Sequence, residues 1–432
     1  MTRASHRVGA RLVWEHTHRE LLPAVLLLHE LERRGRPWVL EHVSALGDEP
    51  ADREVLFLPF YYDDLVRDRY LSRGAVAGRW LVNLAYEQVH FRCGRRYLLP
   101  DGAFAREQML HCAWGERFRT LLLEHGIPAE RIRLTGQPRF DVYHHPELLL
   151  GREDLAARYR LDAARPWLLV PFNFNLAYIT PDLRQSLVAR GYDLRDEFLE
   201  GFGRARDAFL ALVRRLADEL PEHEVILRVH PAGYEAEQLY RGETRTRPNL
   251  HLIAHYDIAN WITQSALTIV WNSTSSMEAM VAGRPVVSYE PFPFSERFDF
   301  DVNRILTTVR TEDDVLALAR GAPDRELGYD WQLFESWYQH RDGRIHARLA
   351  DVVDEAAGNY ERFASRGPVA STRRLALGRR LERLVGDGRL RRQALRSLFG
   401  VVNPRPHAPP PAGPLRHAVR SLDPSGMLAY LE

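Results

Sequence analysis

Two short stretches carry side chains suited to holding a phosphate. The first is Leu227-Arg228-Val229-His230-Pro231, at the end of the apolar run "EVILRVHP". Arg228 and His230 alternate with apolar residues, so on a strand they share one face. Pro231 offers no backbone N–H to a sheet and turns the chain out of it. A guanidinium and an imidazole at a strand end are suited to neutralising a departing phosphate or diphosphate.

The second stretch is Asn272-Ser273-Thr274-Ser275-Ser276, between the apolar "ALTIV" (266–270) and the helix-like "MEAMVAG", which Gly283 closes. The first turn of a helix leaves backbone N–H groups unpaired and carries partial positive charge, which suits an anion. The four hydroxyls add donors and are small enough to let that anion reach the backbone. Glu278, a turn further on, has two readings: an acceptor for ribose hydroxyls, or the answer to Ser275 in a capping box.

Further polar residues stand near expected strand ends. Asn173 and Asn175 in "PFNFN" are placed to touch a base or phosphate, or to form a turn. His16, Arg19 and Glu20 follow the first apolar run, where they line an acceptor side or simply open a solvated helix. No metal site is expected: neither His144-His145 nor any other histidine pair has helical two-His spacing with a carboxylate. Cys93 and Cys112 offer neither a disulfide framework nor zinc spacing and read as packed thiols.

The elements that position these residues follow from the apolar pattern. "ARLVWEH" (10–16) reads as a strand and "RELLPAVLLLHELERRG" (19–35) as a helix. "PWVLEHV", "EVLFLPF" and "RWLVNLAY" read as further strands. Residues 115–143 supply a helix, a Gly-Ile-Pro turn and a short strand, and "GREDLAARYRLD" a linking helix. The theme then restarts: strand 166–175, helix 209–220, strand 224–231, strand 249–255, helix 257–264, strand 266–270 and strand 284–291. Strand alternating with helix predicts parallel sheets covered on both faces. The fold class expected is therefore α/β, with two facing doubly wound domains at 1–148 and 149–365. Ligands in such sheets lie beyond the carboxyl ends of the strands. No repeat of 20–50 residues is visible.

The 432 residues suit two domains plus an extension. No run approaches the ~18–20 apolar residues of a membrane span, and the basic N-terminus lacks the apolar centre of a secretory signal. A cytoplasmic location is expected. All 59 basic residues are arginines, matching 58 acids overall, but residues 361–432 hold about fourteen arginines against about five acids. This tail (366–432) joins an amphipathic Arg-rich piece to the proline-rich spacer "NPRPHAPPPAGP". It is expected to hold the protein peripherally at the anionic inner face of a membrane, to bind a partner enzyme, or to be a solvated extension. Nucleic-acid binding is not expected, because the arginines are not interleaved with aromatic residues.

"LRVHP" together with "WNSTSSMEAMVAGRPVVSY" resembles the nucleotide-binding half of GT-B glycosyltransferases that use CMP-activated acidic sugars, as bacterial sialyltransferases and capsule Kdo transferases do. The chain is most similar to the group of surface carbohydrate biosynthesis proteins, through residues 19–35, the "WGE…TGQPRFD" stretch of 114–141 and the "DG…R.A" stretch of 342–350. The resemblance implies two Rossmann-like domains and a nucleotide-sugar donor, CMP-linked, as substrate rather than cofactor. It implies a nonulosonic acid or Kdo as the sugar, a glycan or lipid-linked glycan as acceptor, and metal-independent inverting transfer. His230 and Ser273–Ser276 would hold the nucleotide phosphate. An acid-acid-Gly motif in the N-terminal domain would supply the base, and here it is incomplete. Glu87 is followed by Gln88, and Asp101-Gly102 is preceded by Pro100, so both acids stay open as the base, with Glu87 at the more family-like distance from Trp114-Gly115. Asp299-Phe300-Asp301 resembles the metal-binding Asp-X-Asp of GT-A enzymes without its strand context. Three rival readings remain: a CDP-glycerol-type phosphotransferase, a UDP-sugar 2-epimerase-like enzyme, and a non-catalytic nucleotide- or glycan-binding partner.

Overall fold

A computed structural model describes residues 8–43, 46, 53–62, 76–89, 98–189, 194–230, 240–293, 301–321, 327–366 and 412–422. Pro231, Cys93, Asp299 and the Arg-rich piece of the tail lie outside them.

The first sheet contains β1 (Gly9–Trp14), β2 (Trp38–His42), β3 (Glu54–Leu58), β4 (Trp80–Asn83), β5 (Met109–Ala113) and β6 (Ile132–Leu134). All its pairings are parallel, in the order β2-β1-β3-β4-β5-β6. Its first helix, α1 (Thr17–Arg33), is buried without a break from Glu20 through Leu28, and all but Glu20 of that run are apolar. A helix that is apolar all round must be covered all round. α1 rests near β1 and is covered by α12 (Ile345–Gly358), α13 (Ala412–Ser421) and the 3₁₀ segment Pro138–His144. α2 (Ala103–Gln108) and α3 (Glu116–Glu124) follow in this half.

The 3₁₀ segment and α4 (Arg152–Tyr159) lead to the second sheet. Its strands are β7 (Trp167–Phe172), β8 (Glu224–Val229), β9 (Leu250–Ile253), β10 (Leu267–Val270), β11 (Val286–Tyr289) and β12 (Thr308–Val309). They are again parallel, in the order β12-β11-β10-β7-β8-β9. Every residue of β7, β8, β10 and β11 is buried, as strands covered on both faces must be. The covering helices include α5 (Pro181–Ala189), α6 (Asp196–Glu219), α7 (Ile258–Ile262), α8 (Ser275–Val281), α9 (Asp301–Ile305) and α10 (Glu312–Ala319). Counted from β7, this sheet has the order 3-2-1-4-5-6 of dinucleotide-binding folds, with its switch point between β7 and β10. The first sheet begins 2-1-3-4-5, with its switch point between β1 and β3. The expected pair of doubly wound α/β domains is present.

The domain limits differ from those expected. α11 (Trp331–Trp337) packs on α3, and α12 packs on α1, so the chain returns to the first domain well before 365. Trp80 donates to the Tyr360 carbonyl, Tyr360 donates to the carbonyls of Glu54 and Gly78, and Ser365 bonds Gln108. α13 also joins this domain, burying Leu415 and Val419 with α1 in one core. Arg420 pairs with Glu32 there. Thus the last described part of the tail is a packed helix.

Glycines allow the return. A Cβ on Gly115 would lie 2.5 Å from the Trp337 carbonyl carbon and oxygen, and one on Gly136 (φ 92°) 2.9 Å from Ile345 Cγ1. Asp141, fully buried, accepts from the backbone N–H of His346 at 2.7 Å and meets its Nδ1 at 2.6 Å, fixing the start of α12.

Candidate functional site

The residues singled out in the sequence fall at the carboxyl ends of both sheets. Asn173 follows β7, His230 follows β8, and Asn272–Ser276 follow β10; the first and last flank the switch point of the second sheet. His16 and Arg19 follow β1 at the switch point of the first sheet, and Glu87 follows β4.

The two groups lie within electrostatic reach of one another. Burial pushes the His230 imidazole down to about 4, with Glu87 opposing that shift and Arg19, His16 and Arg228 adding to it. His230 belongs to the second domain, whereas Glu87, Arg19 and His16 belong to the first, so the interdomain cleft gathers them. The His230 backbone N–H donates to the Phe172 carbonyl, extending the β7–β8 pairing to the cleft.

The Glu87 loop is held from below. Gln88 is buried; its side-chain nitrogen donates to the Cys112 carbonyl at 2.9 Å and its oxygen accepts from the Trp114 N–H at 2.8 Å. Gln88 therefore ties the loop to the end of β5. Asn83 caps the same bend by accepting from the Ala85 N–H, where Ala85 takes φ 47°. Glu87 itself is half exposed and pairs with Arg19 at 3.2 Å. Asp101 is exposed at the entry to α2, beside Arg106 and His125. It shares no contact with the Glu87–Arg19 group among the described residues.

Other residues singled out in the sequence are engaged within the fold. Glu20 is buried and accepts from the backbone N–H groups of Glu15 (2.7 Å) and His16 (3.4 Å) and from the Arg19 guanidinium, so it builds the start of α1. Arg228 is buried and donates to the carbonyls of Val229 and Tyr256, which ties β8 to the loop before α7. Ser276 is fully buried and donates to the Ser273 carbonyl at 2.6 Å. Ser275 meets the Ser273 hydroxyl at 2.7 Å, and Asn272, at φ 47°, accepts from Asn303. Ser273 and Thr274 are the two hydroxyl residues of this turn that retain partial exposure. Asn175 opens a short 3₁₀ turn and Asn173 is half-buried at the strand end. Asp301 is buried, taking the Trp337 indole N–H at 3.1 Å and facing Arg117. Among the described residues no group of three or more His, Cys, Asp or Glu is placed to hold a metal ion.

Glu278 does not answer Ser275 in a capping box: the cap of α8 is Thr274, without a side-chain bond. Glu278 instead accepts from Arg139 and, at 2.7 Å, from the Tyr143 hydroxyl. Arg139, in the 3₁₀ segment, also pairs with Asp257 at 2.9 Å and donates to the Arg19 carbonyl. Pro23 explains that last bond. Its N–H would ordinarily have gone to the carbonyl four residues back, Arg19; proline has none, and the freed carbonyl takes the guanidinium instead. One buried side chain thereby holds α1 of the first domain, α8 of the second and the cap of α7 together. Burial alone would lower the Arg139 pKa, but Asp257 and Glu278 raise it well above the ordinary value, so it stays charged. The "GQPRFD" motif was visible in the sequence, but nothing there gave Arg139 a partner.

No family model matches the chain, and no curated protein matches it. Solved structures similar to it include a Staphylococcus aureus MnaA–UDP co-structure, at 12% identity and a TM-score of 0.46 over 84% of this chain and 100% of that one. The wall teichoic acid polymerase TagF with CDPG is 11% identical, with a TM-score of 0.48 over 84% and 92%. A Methanocaldococcus jannaschii UDP-GlcNAc 2-epimerase complex with UDP-GlcNAc and UDP is 10% identical, with a TM-score of 0.47 over 81% and 100%.

Proposed function

We propose that this protein is a GT-B glycosyltransferase that moves a sugar from a CMP-linked donor, of the nonulosonic acid or Kdo type, to a hydroxyl of a surface glycan or lipid-linked glycan. The observation that carries the reading is the placing of Asn173, His230 and Ser273–Thr274 at the carboxyl ends of one doubly wound sheet and of His16, Arg19 and Glu87 at those of the other, within electrostatic reach of His230. The nucleotide would lie at the β7/β10 switch point, against Ser273, Thr274 and Asn173. His230, held neutral by burial, would donate a hydrogen bond to the phosphate and gain charge as the phosphate's own charge develops, since an adjacent anion raises an imidazole pKa. Arg228 would act by fixing the strand end that presents His230. Glu87, poised by the Gln88 anchor, is the acid facing the acceptor side. No metal or cofactor enters this scheme.

Calorimetric titration with CMP, CDP, UDP and GDP, without metal, tests it on the wild type and on His230→Ala. Selective binding of CMP that falls at least tenfold in the variant is the expected result. Preference for UDP, with donor consumed in the absence of any acceptor, would move the reading to a 2-epimerase. CDP-alcohol turnover giving a phosphodiester would move it to a phosphotransferase. No binding of any nucleotide would overturn it in favour of a non-catalytic partner.

A further inference from the structure

We propose that Glu15, oriented by His16, is the proton acceptor of the transfer site, and that Glu87 holds Arg19 in place beside it. The inference rests on the reading of the cleft given above and deepens it.

Glu15 is the residue that leaves β1, at the switch point of the first sheet, directly before α1. Its backbone is fixed, because its N–H donates to the buried Glu20 carboxylate at 2.7 Å. Its side chain is mostly buried, with Oε2 3.5 Å from His16 Nε2. Glu87 is differently placed. It is half exposed, and its carboxylate is engaged by the Arg19 guanidinium at 3.2 Å. Arg19 bridges the two sides, gripping Glu20 and Glu87 together. The groups facing Glu15 are thus Glu20, Arg19 and His16 from its own loop and α1, and Glu87 from the loop after β4. His16 in turn faces His18, His42 and, across the cleft, His230.

The electrostatics agree with this geometry. Burial raises the Glu15 carboxyl to about 7, with Glu20 and Glu87 adding and Arg19 opposing. Burial holds His16 well below the ordinary imidazole range, with Arg19, His42 and His18 adding, so it is neutral and able to hydrogen-bond the carboxyl. A proton acceptor works best with a pKa near the working pH. In the step, the acceptor O–H bond breaks and its proton passes to a Glu15 carboxylate oxygen. The freed oxygen forms its bond to the anomeric carbon, and the bond from that carbon to the phosphate oxygen breaks, its electron pair leaving with the nucleotide.

The test compares Glu15→Gln, Glu87→Gln and His16→Gln with the wild type. The probes are CMP by calorimetry, and CMP release from CMP-N-acetylneuraminic acid and CMP-Kdo with a cell-envelope glycolipid extract as acceptor. Glu15→Gln should bind CMP within about threefold of wild type while CMP release falls by about 10²-fold or more, the range for removing a general base. Glu87→Gln should lose less than tenfold. The wild-type rate should rise with pH through about 7, and that limb should disappear in Glu15→Gln. Carbon-13 carboxyl NMR should show one glutamate titrating near 7 that is missing in Glu15→Gln alone. Full turnover in Glu15→Gln, or an equal loss in Glu87→Gln with the pH limb unmoved, would overturn the assignment while leaving the glycosyltransferase reading intact. Failure of the wild type to bind CMP would remove that reading, and the base with it.

Discussion

Replacing Arg139 by methionine keeps an unbranched apolar stem and removes the charge. Three groups lose a partner: the Arg19 carbonyl, Asp257, which keeps the Ala259 N–H, and Glu278, which keeps the Tyr143 hydroxyl. Arg139, Asp257 and Glu278 are all less than a tenth exposed, so water does not replace the guanidinium. Breaking a buried ion pair by removing one partner costs about 3–5 kcal/mol. The stranded carbonyl adds about 1–3 kcal/mol if nothing takes it up. With a urea slope of about 3 kcal/mol/M, a loss of about 4 kcal/mol lowers the unfolding midpoint by about 1.3 M. Three further variants show where the loss comes from. Adding Asp257→Asn and Glu278→Gln to Arg139→Met should return more than half of it, because no charge is then left buried alone. Pro23→Ala supplies an N–H for the Arg19 carbonyl, so it should stabilise Arg139→Met by about 1 kcal/mol more than it stabilises the wild type. Urea unfolding followed by tryptophan fluorescence and circular dichroism gives all four numbers. An Arg139→Met midpoint within 0.3 M of wild type (about 1 kcal/mol at that slope) would refute the claim that this side chain joins the domains.

The buried histidines set a pH dependence. His111 is fully buried, with Nε2 3.0 Å from the Ala105 carbonyl and Nδ1 3.3 Å from the Asn83 amide, and burial lowers it to about 4, as it does His230. Between about 4 and the unfolded value near 6.5, the unfolded chain binds more protons, so stability is fully present above 6.5 and falls as pH drops toward 4. The urea midpoint should therefore decline from pH 7 to pH 5, and less steeply in His111→Gln; equal slopes would contradict the burial argument. Gly115→Ala should cost about 3 kcal/mol, at the upper end for overpacking, because its methyl meets backbone and not a movable side chain. A thermal midpoint unchanged from wild type would show that α3 and α11 do not approach as closely as described.

The alternation of apolar strands and amphipathic helices was enough to establish two parallel sheets, because strands buried on both faces must be apolar throughout. β5 escaped that pattern. Its "MLHCA" reads as mixed, yet all five residues are buried, since His111 is neutral and bonded at both nitrogens. The starting residues of α6 escaped too: Gly201 and Gly203 weaken the helical signal, while Phe198, Phe202 and Ala205 carry the buried stripe on from Phe209. Strand ends were likewise legible, and they placed His230, Asn173, His16, Arg19 and Glu87 at the cleft. What local pattern could not supply was the partner of each polar group. Glu278 and Arg228 have the residue types of a ligand shell, but each is engaged by groups that the folded chain brings to it, Arg139 and Tyr143 for the one and the Tyr256 carbonyl for the other. The "WGE", "TGQPRFD" and "DG" stretches resembled a family without revealing a purpose. In the fold they are the close contacts of Gly115 with Trp337, Gly136 with Ile345 and Asp141 with His346, which bring the returning chain onto the first domain. Sequence fixes which residues are apolar and where strands stop, because those follow from neighbours a few positions away. Pairing between residues more than a hundred positions apart, as in Arg139 with Glu278, depends on how the two sheets are docked, and only the tertiary structure decides that.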